Sequence, residues 1–354
     1  MSKIQTIMKE LLPHQAALVT SSVNRRYLTG FYSSAGAFLF TGENGYLLID
    51  SRYYEKARKE AENCDVVLQN DLTSQFNELI NKHSINKIFI ESEKVTISEL
   101  NDLIHRFPGV EFDSSNWLSK ALMSARLIKS FEEIQRIETA QRIAETAFNK
   151  LLHKIREGLT EKQVAALLNY YLAGMGSDDI SFPTIAASGS NSSIPHAVPT
   201  DKQLKRGEFL TLDFGAVYKG YHSDMTRTVC IGEPDEKMKS VYGAVLGANN
   251  DAMRALRDGV SGKLVDNIAR STLEAWGYEK YFGHGVGHGL GLEVHEAPGL
   301  SPKGEHTLKE GMVVTIEPGV YLPDEFGVRI EDIAVVTSDG CRVITTTQKS
   351  LIIL

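Results

Sequence analysis

"FLTLDFGAVYKGYHSDMTRTVCIG", Phe209 to Gly232, reads as two β-like runs around a turn at Lys219-Gly220. In an antiparallel pair, directly opposed residues keep a constant index sum, and opposing Asp213 with Asp224 centres the turn between Tyr218 and Lys219. Opposed residues share a face, with Cβ atoms about 4.5–5.5 Å apart. Two aspartates so placed repel each other unless a cation lies between them. A second stretch, "MVVTIEPGVYLPDEFGVRIEDIAVVT" (Met312 to Thr337), makes the same demand. Opposing Glu317 with Glu331 centres its loop on Asp324, inside the turn-forming "PDEFG". Arg329, two residues before Glu331, then points to the same face.

Each hairpin follows two helical patterns. Ser130 and Glu133 form an S-x-x-E capping box, and Ile134, Ile137, Ala140, Ala144, Ala147, Phe148, Leu151 and Ile155 recur behind it at helical spacing. Thr160 and Gln163 repeat the cap ahead of Val164, Leu167, Leu168 and Tyr171. Residues 236–257 and 261–276 supply the second pair of helices. Helix, helix, hairpin, twice over, indicates an internally duplicated α+β domain over 126–354, without evident sequence identity between its halves. Residues 1–125 alternate β-rich runs ("AALVTS", "AFLFTG", "GYLLID", "VVLQ", "KIFIES") with helical ones ("YYEKARKEAEN", "SQFNELINKH", "ISELNDLIHRF"), the pattern of a smaller α/β domain. Within it "DSRYYEKA", Asp50 to Ala57, reads as a solvated helix start.

The 354 residues suit about two domains on the usual ~150-residue prior. A net charge of −7 argues against a nucleic-acid or anionic-membrane partner, either of which favours a basic surface. The three cysteines, Cys64, Cys230 and Cys341, form no CxxC pair and read as free thiols in a reducing compartment. The N-terminal "MSKIQTIMKELLPHQ" has no apolar signal core and no run of eighteen apolar residues occurs, so a cytoplasmic location is expected.

Four carboxylates buried without compensation would cost more than the whole stability of a domain. Two divalent cations would neutralise them, so the acids point to a binuclear metal site. Histidines to complete it lie in "GHGVGHGLGLEVHE", Gly283 to Glu296, which holds three of the ten histidines and five glycines in fourteen residues. Such a bare backbone is poor helix material and suggests close approach to something else. Four carboxylates and one imidazole suit Mn²⁺, with Co²⁺ or Zn²⁺ as alternatives, and exclude a thiolate site.

The ordered set Asp213, Asp224, His288, Glu317 and Glu331 resembles the metal pentad of the pita-bread metallopeptidases, which include methionine aminopeptidase, aminopeptidase P and prolidase. "LDFGAVYKGYHSDMTRT", "GHGVGHGLGLEVHE", "TIEPGVY" and "GVRIED" occur in the family's order, and the resemblance covers residues 126 to 345. The first 125 residues, with "NRRYLTGF" (Asn24 to Phe31), resemble the creatinase/prolidase-type N-terminal domain of the proline-specific branch. The resemblance implies hydrolysis of Xaa-Pro bonds in dipeptides or short peptides by a hydroxide bridging two metals. It also implies a homodimer and a place for His284 beside the metals near the scissile bond. His295 would hydrogen-bond the substrate and the developing oxyanion, His196 in "SSIPHAVPT" would contact substrate, and Arg329 would pair with an acid or hold substrate. Phe182 and Ile185, in "SFPTIAAS", would wall a proline pocket, and Glu317 would be proton acceptor as well as ligand.

Three other readings compete: a methionine aminopeptidase-like enzyme, a creatinase-like hydrolase lacking the metals, and a non-catalytic binding protein on the same scaffold. The N-terminal domain and His284 count against the first, and the complete ligand set counts against the other two. Past His295, "EAPGLSPKGEH" carries no arginine to catch a dipeptide's C-terminal carboxylate, leaving Lys303 as the one candidate substitute there.

Overall fold

The computed structural model describes residues 3–354 and divides between Arg126 and Leu127 into two units. In the first, strands β1 (Gln15–Val19), β2 (Ala37–Phe40), β3 (Gly45–Ile49), β4 (Asp65–Leu68), β5 (Lys87–Ile90) and β6 (Glu111–Asp113) form one mixed sheet in the order β4-β3-β2-β1-β5-β6. Ala17 and Val19 of β1 pack on one face with Leu28, Ala57, Leu118 and Leu122. Ala16 and Leu18 pack on the other with Phe76, Leu100 and Leu103. Both faces are covered, which explains why these strands read as continuous apolar runs. The covering helices are α1 (Lys3–Met8), α2 (Ser22–Thr29), α3 (Ser51–Glu60), α4 (Leu72–Lys82), α5 (Ile97–Arg106) and α6 (Trp117–Leu127). Asp50 caps α3, accepting from the Arg52 amide at 2.9 Å, so "DSRYYEKA" is a helix start.

The second unit begins with α7 (Phe131–Leu152) and α8 (Glu161–Gly174), each opened by the capping box expected at Ser130/Glu133 and Thr160/Gln163. Strands β7 (Asp179–Ile180), β8 (Ile185–Ser188), β9 (Glu208–Phe214), β10 (Ala216–Tyr218), β11 (Tyr221–His222) and β12 (Met225–Ile231) follow. After α9 (Glu236–Ala255) and α10 (Gly262–Ala275) come β13 (Gly287–Gly289), β14 (Glu296–Leu300), β15 (Val313–Ile316), β16 (Gly319–Leu322), β17 (Phe326–Arg329), β18 (Asp332–Val336), β19 (Cys341–Val343) and β20 (Ile352–Ile353). The main sheets run β20-β12-β9-β8 and β14-β13-β15-β18-β19.

Alternation along the strands decides which way the acids point. Leu210, Leu212 and Phe214 pack on Ala144, Phe148, Leu168 and Leu172 of α7 and α8. Val314 and Ile316 pack on Val245, Ala248, Val265 and Ala269 of α9 and α10. Their odd-numbered neighbours, Asp213 and Glu317, therefore face away from the helices.

The second hairpin has the expected register: Ile316 faces Asp332 and Gly319 faces Arg329, which puts Glu317 opposite Glu331. In the first the turn lies at Lys219-Gly220 as expected, but Asp213 and Asp224 are not directly opposed. Tyr218 pairs with Tyr221, and Lys219 and Gly220 form the two-residue turn with φ of +47° and +80°. Two positive φ values mark the type I′ turn that matches strand twist. The ladder is consequently displaced, with Asp213 opposite Thr226 rather than Asp224. A slip of two residues keeps every side chain on its face, so Asp224 still lies on the Asp213 side, one position along.

The hairpins are stitched to each other. The Glu331 amide donates to Thr226 O at 3.1 Å, and Thr228 Oγ1 donates to Arg329 O at 3.0 Å. Arg227, 1% exposed, donates to the Thr226 and Glu331 carbonyls and pairs with equally buried Asp332 at 2.7 Å. Cys64, Cys230 and Cys341 are all free. Among the described residues no helix is long and apolar enough to cross a membrane.

The glycine-rich stretch does meet other backbone. A Cβ on Gly287 would fall well inside contact distance of the Thr315 carbonyl, whereas one on Gly283 meets nothing within 4 Å. Gly287→Ala should cost about 1–3 kcal/mol by overpacking. Gly283→Ala should stay within about 0.5 kcal/mol of the parent, as surface changes do. Denaturant midpoints of the two variants check the contrast.

Candidate metal centre

The inward acids of both hairpins and His288 of β13 meet at the floor of a cavity of about 580 Å³. Ligand atoms of Asp224, His288 and Glu331 lie within 4.8 Å of one another. His288 Nε2 stands 3.6 Å from Asp224 Oδ2 and 3.4 Å from Glu317 Oε1. The His288 ring is held from behind, its Nδ1 3.0 Å from the Gly289 carbonyl and its amide donating to Thr315 Oγ1. That backbone contact leaves Nε2 facing the acids. Asp213 is turned partly aside: Arg329 Nη2 donates to its Oδ2 at 2.7 Å. Thr226 Oγ1 donates to Glu331 Oε2 at 2.8 Å.

Crowding shows in the protonation of these groups. Burial, then the charges of Asp213 and Glu317, hold the Asp224 carboxyl well above the ordinary carboxylate range. Burial, then Asp224, Glu317 and Asp213, do the same to Glu331. Burial pushes Glu317 up to about 8, against the opposing pull of Arg329. Burial lowers both His284 and His288 to about 4, so both imidazoles are neutral at physiological pH. Burial alone would lower Arg329, but Tyr321, Asp213 and Glu317 outweigh it and its charge is secure.

The donor set fits divalent cations. Asp213 Oδ1 and Glu331 Oε1 are buried without a hydrogen-bond partner, although buried polar atoms are nearly always satisfied. Hard carboxylate oxygens with one neutral imidazole nitrogen suit a divalent cation and not a thiolate-seeking one.

The other expected residues fall around this floor. Phe182, Ile185, His196, His284, His295 and Arg329 all line the cavity, and Ile185 pairs directly with Asp213. The ring of His295 meets His288 edge-on at 4.4 Å. Arg329 takes the acid-pairing option, through Asp213. Lys303 is exposed and does not line the cavity; Ser301 does. Tyr321, Thr226 and Arg227 were not anticipated. Alternation carries the signal for two of them, since Tyr321 lies four residues along from Glu317 and Thr226 two along from Asp224.

A sequence profile described as "Metallopeptidase family M24" matches residues 135–338, and one described as "Creatinase/Prolidase N-terminal domain" matches 1–123. The chain belongs to metallopeptidase family M24. Among its relatives is a Pyrococcus horikoshii "Xaa-Pro dipeptidase", 38% identical over 95% of this chain and 94% of that one. The fold is similar to that of an "Xaa-Pro dipeptidase" from Bacillus anthracis, with TM-score 0.94 and 37% identity over 99% of this chain and 98% of that one. It is equally similar to an "X-Pro aminopeptidase" from Thermotoga maritima, with TM-score 0.93 and 35% identity over 99% and 100%.

The shifted groups fix a pH dependence for the metal-free protein. A carboxyl raised on folding, from 4.5 to about 8 for Glu317, contributes stability below its unfolded value and loses it as pH climbs toward the folded one. The lowered histidines act oppositely, but only between about 4 and 6.5. From pH 6.5 to 8 the carboxyls act alone, so thermal unfolding of chelated protein should shift to lower temperature as pH rises. Saturating Mn²⁺ should remove that slope, as differential scanning calorimetry can show.

Proposed function

We propose that this chain hydrolyses the peptide bond preceding proline in Xaa-Pro dipeptides and short peptides. The observation that carries the reading is the convergence of four carboxylates and His288 on the floor of one cavity with apolar walls. Asp213, Asp224, His288, Glu317 and Glu331 would hold two divalent ions, Mn²⁺ by donor chemistry with Co²⁺ or Zn²⁺ as alternatives. Bound there, such ions supply a Lewis acid for the scissile carbonyl and a water acidic enough to ionise near neutral pH. The names of the relatives support the choice of Xaa-Pro bonds.

The remaining chemistry belongs to the chain. Phe182, Ile185 and Pro195 offer an apolar wall for a pyrrolidine ring, which an Xaa-Pro bond presents in place of an N–H. His196 and His295, both exposed, can reach a bound peptide, and His295 would donate to the oxygen on which negative charge develops. Glu317 would take a proton at a carboxylate oxygen and deliver it to the departing proline nitrogen. We take residues 1–125 as the N-terminal domain and 126–354 as the catalytic one. Free cysteines support a cytoplasmic location, and a homodimer is the assembly we adopt.

Glu331→Ala should lose divalent metal and lower Xaa-Pro cleavage by at least the ~10²–10³-fold that removal of one oxyanion donor costs. Full activity with unchanged metal content would overturn the reading. Arg329 is the only lysine or arginine among the described cavity-lining residues, and Asp213 and Tyr321 already engage it. An Xaa-Pro-Xaa tripeptide should therefore be cleaved no worse than the matching dipeptide in a Mn²⁺ assay, and strict refusal of the tripeptide would contradict this.

A further inference from the structure

Glu161 opens α8 immediately after the Thr160 cap and is fully buried, although it does not line the cavity. Its carboxylate grips both ends of the segment from Ser188 to Thr200. Oε1 accepts from the Ser188 amide at 2.7 Å, the Ser188 hydroxyl at 2.9 Å and Asn191 Nδ2 at 3.2 Å. Oε2 accepts from the Thr200 hydroxyl at 2.6 Å, the Thr200 amide at 3.0 Å and Asn191 Nδ2 at 3.1 Å. Between those anchors lie Pro195, His196, Ala197, Val198 and Pro199, all of which line the cavity.

Every one of these contacts is donated to the carboxylate. The Ser188 and Thr200 hydroxyls accept from Lys202, through its Nζ at 2.9 Å and its amide at 3.1 Å, so their own hydrogens go to Glu161. Burial alone would raise the Glu161 carboxyl, but the bonds from Thr200, Ser188 and Asn191 outweigh it and hold it below the ordinary carboxylate range. A glutamine there would turn an NH₂ group toward donors and give up the charge that strengthens the remaining bonds.

The duplicated half supplies a contrast. Thr160 bridges to Gln203 and Ser261 to Thr307, and the amides that follow, of Glu161 and Gly262, donate to the Lys202 and His306 carbonyls. Gly262 thus stands where Glu161 does, and a Cβ on it would lie 2.6 Å from the Gly299 carbonyl oxygen. A helix start of this kind needs no carboxylate. The one at Glu161 serves the segment it grips.

We propose that Glu161 is a positioning residue for the substrate: it closes the two ends of the 188–200 loop, so that Pro195 and His196 stand fixed in the cavity wall. Midway, Ser192 Oγ accepts from the Gly327 amide at 2.8 Å and the Pro195 carbonyl accepts from Arg329 Nη1 at 3.3 Å. With its ends released the loop pivots on those two points, and a loop correctly placed about a tenth of the time binds about 10-fold more weakly. The proposal rests on the reading of the cavity as an Xaa-Pro peptide site.

Two measurements test it. In Glu161→Gln, amide hydrogen exchange across 188–200 should speed at least about 10-fold while α9 and α10 keep the parental rate, and parental exchange in the loop would overturn the proposal. At saturating Mn²⁺ the same variant should raise KM for an Xaa-Pro dipeptide about 10-fold with kcat near the parent value, the pattern of lost uniform binding. Its Mn²⁺ affinity by titration calorimetry should equal the parent's, and a loss of metal that accounts for the loss of activity would overturn the positioning role. Thr200→Val, at an exposed residue, gives up one of the bonds and should move KM the same way by less. It decides the matter if Glu161→Gln fails to fold, and a parental KM in it would then count against the proposal. A parent that cleaves no Xaa-Pro peptide would instead sink the peptidase reading, while the exchange result would still show whether Glu161 holds the loop.

Discussion

The structure depends on a repulsion. Asp213, Asp224, Glu317 and Glu331 are carried on the inward faces of two hairpins, and burial multiplies the cost of their mutual charge. In isolation that arrangement favours splaying or protonation. What holds the acids together lies behind them: paired helices on the outer face of each hairpin, packed through Leu212, Phe214, Val314 and Ile316. The apolar packing sets the strand orientation, and the alternation of the strands does the rest.

A second device fixes the spacing between hairpins. Arg227 sits on the helix-packed side of β12, where a charge would be intolerable alone, and it is met by Asp332 and by the carbonyls of Thr226 and Glu331. A buried pair of this kind adds little net stability, but losing one partner strands the other. Its effect is geometric, tying the backbone that bears Glu331 to the strand that follows Asp224. Among the described residues that line the cavity, Arg329 supplies the one fixed positive charge at the acids themselves, and Tyr321 and Thr226 orient it.

Much of this was legible in the chain, for reasons that differ by element. Strands β1 to β5 show because both their faces are apolar, and α7 and α8 show because their caps are written in full at Ser130/Glu133 and Thr160/Gln163. Helix α2 does not show: Asn24 and Arg25 look like surface residues yet are buried, with Asn24 Nδ2 donating to buried Glu91. The acids were found through period-two alternation, which tolerates the two-residue register slip at Lys219 because that slip is even. The turn at Lys219-Gly220 was legible from its residue types, whereas opposing Asp213 with Asp224 set its centre one position too early, between Tyr218 and Lys219. Arg227 escaped because a charge on an apolar face argues against itself until Asp332 is seen beside it, and the engagement of His284 by Tyr321 needs interatomic distances.

The central claim is that bound divalent ions discharge a cluster that otherwise holds protons. Titration calorimetry of chelated protein with Mn²⁺ at pH 7, repeated in buffers of different ionisation enthalpy, measures the protons set free on binding. The account predicts two ions per chain and net proton release as Asp224, Glu317 and Glu331 ionise. Binding without proton release, or no binding at all, would contradict it.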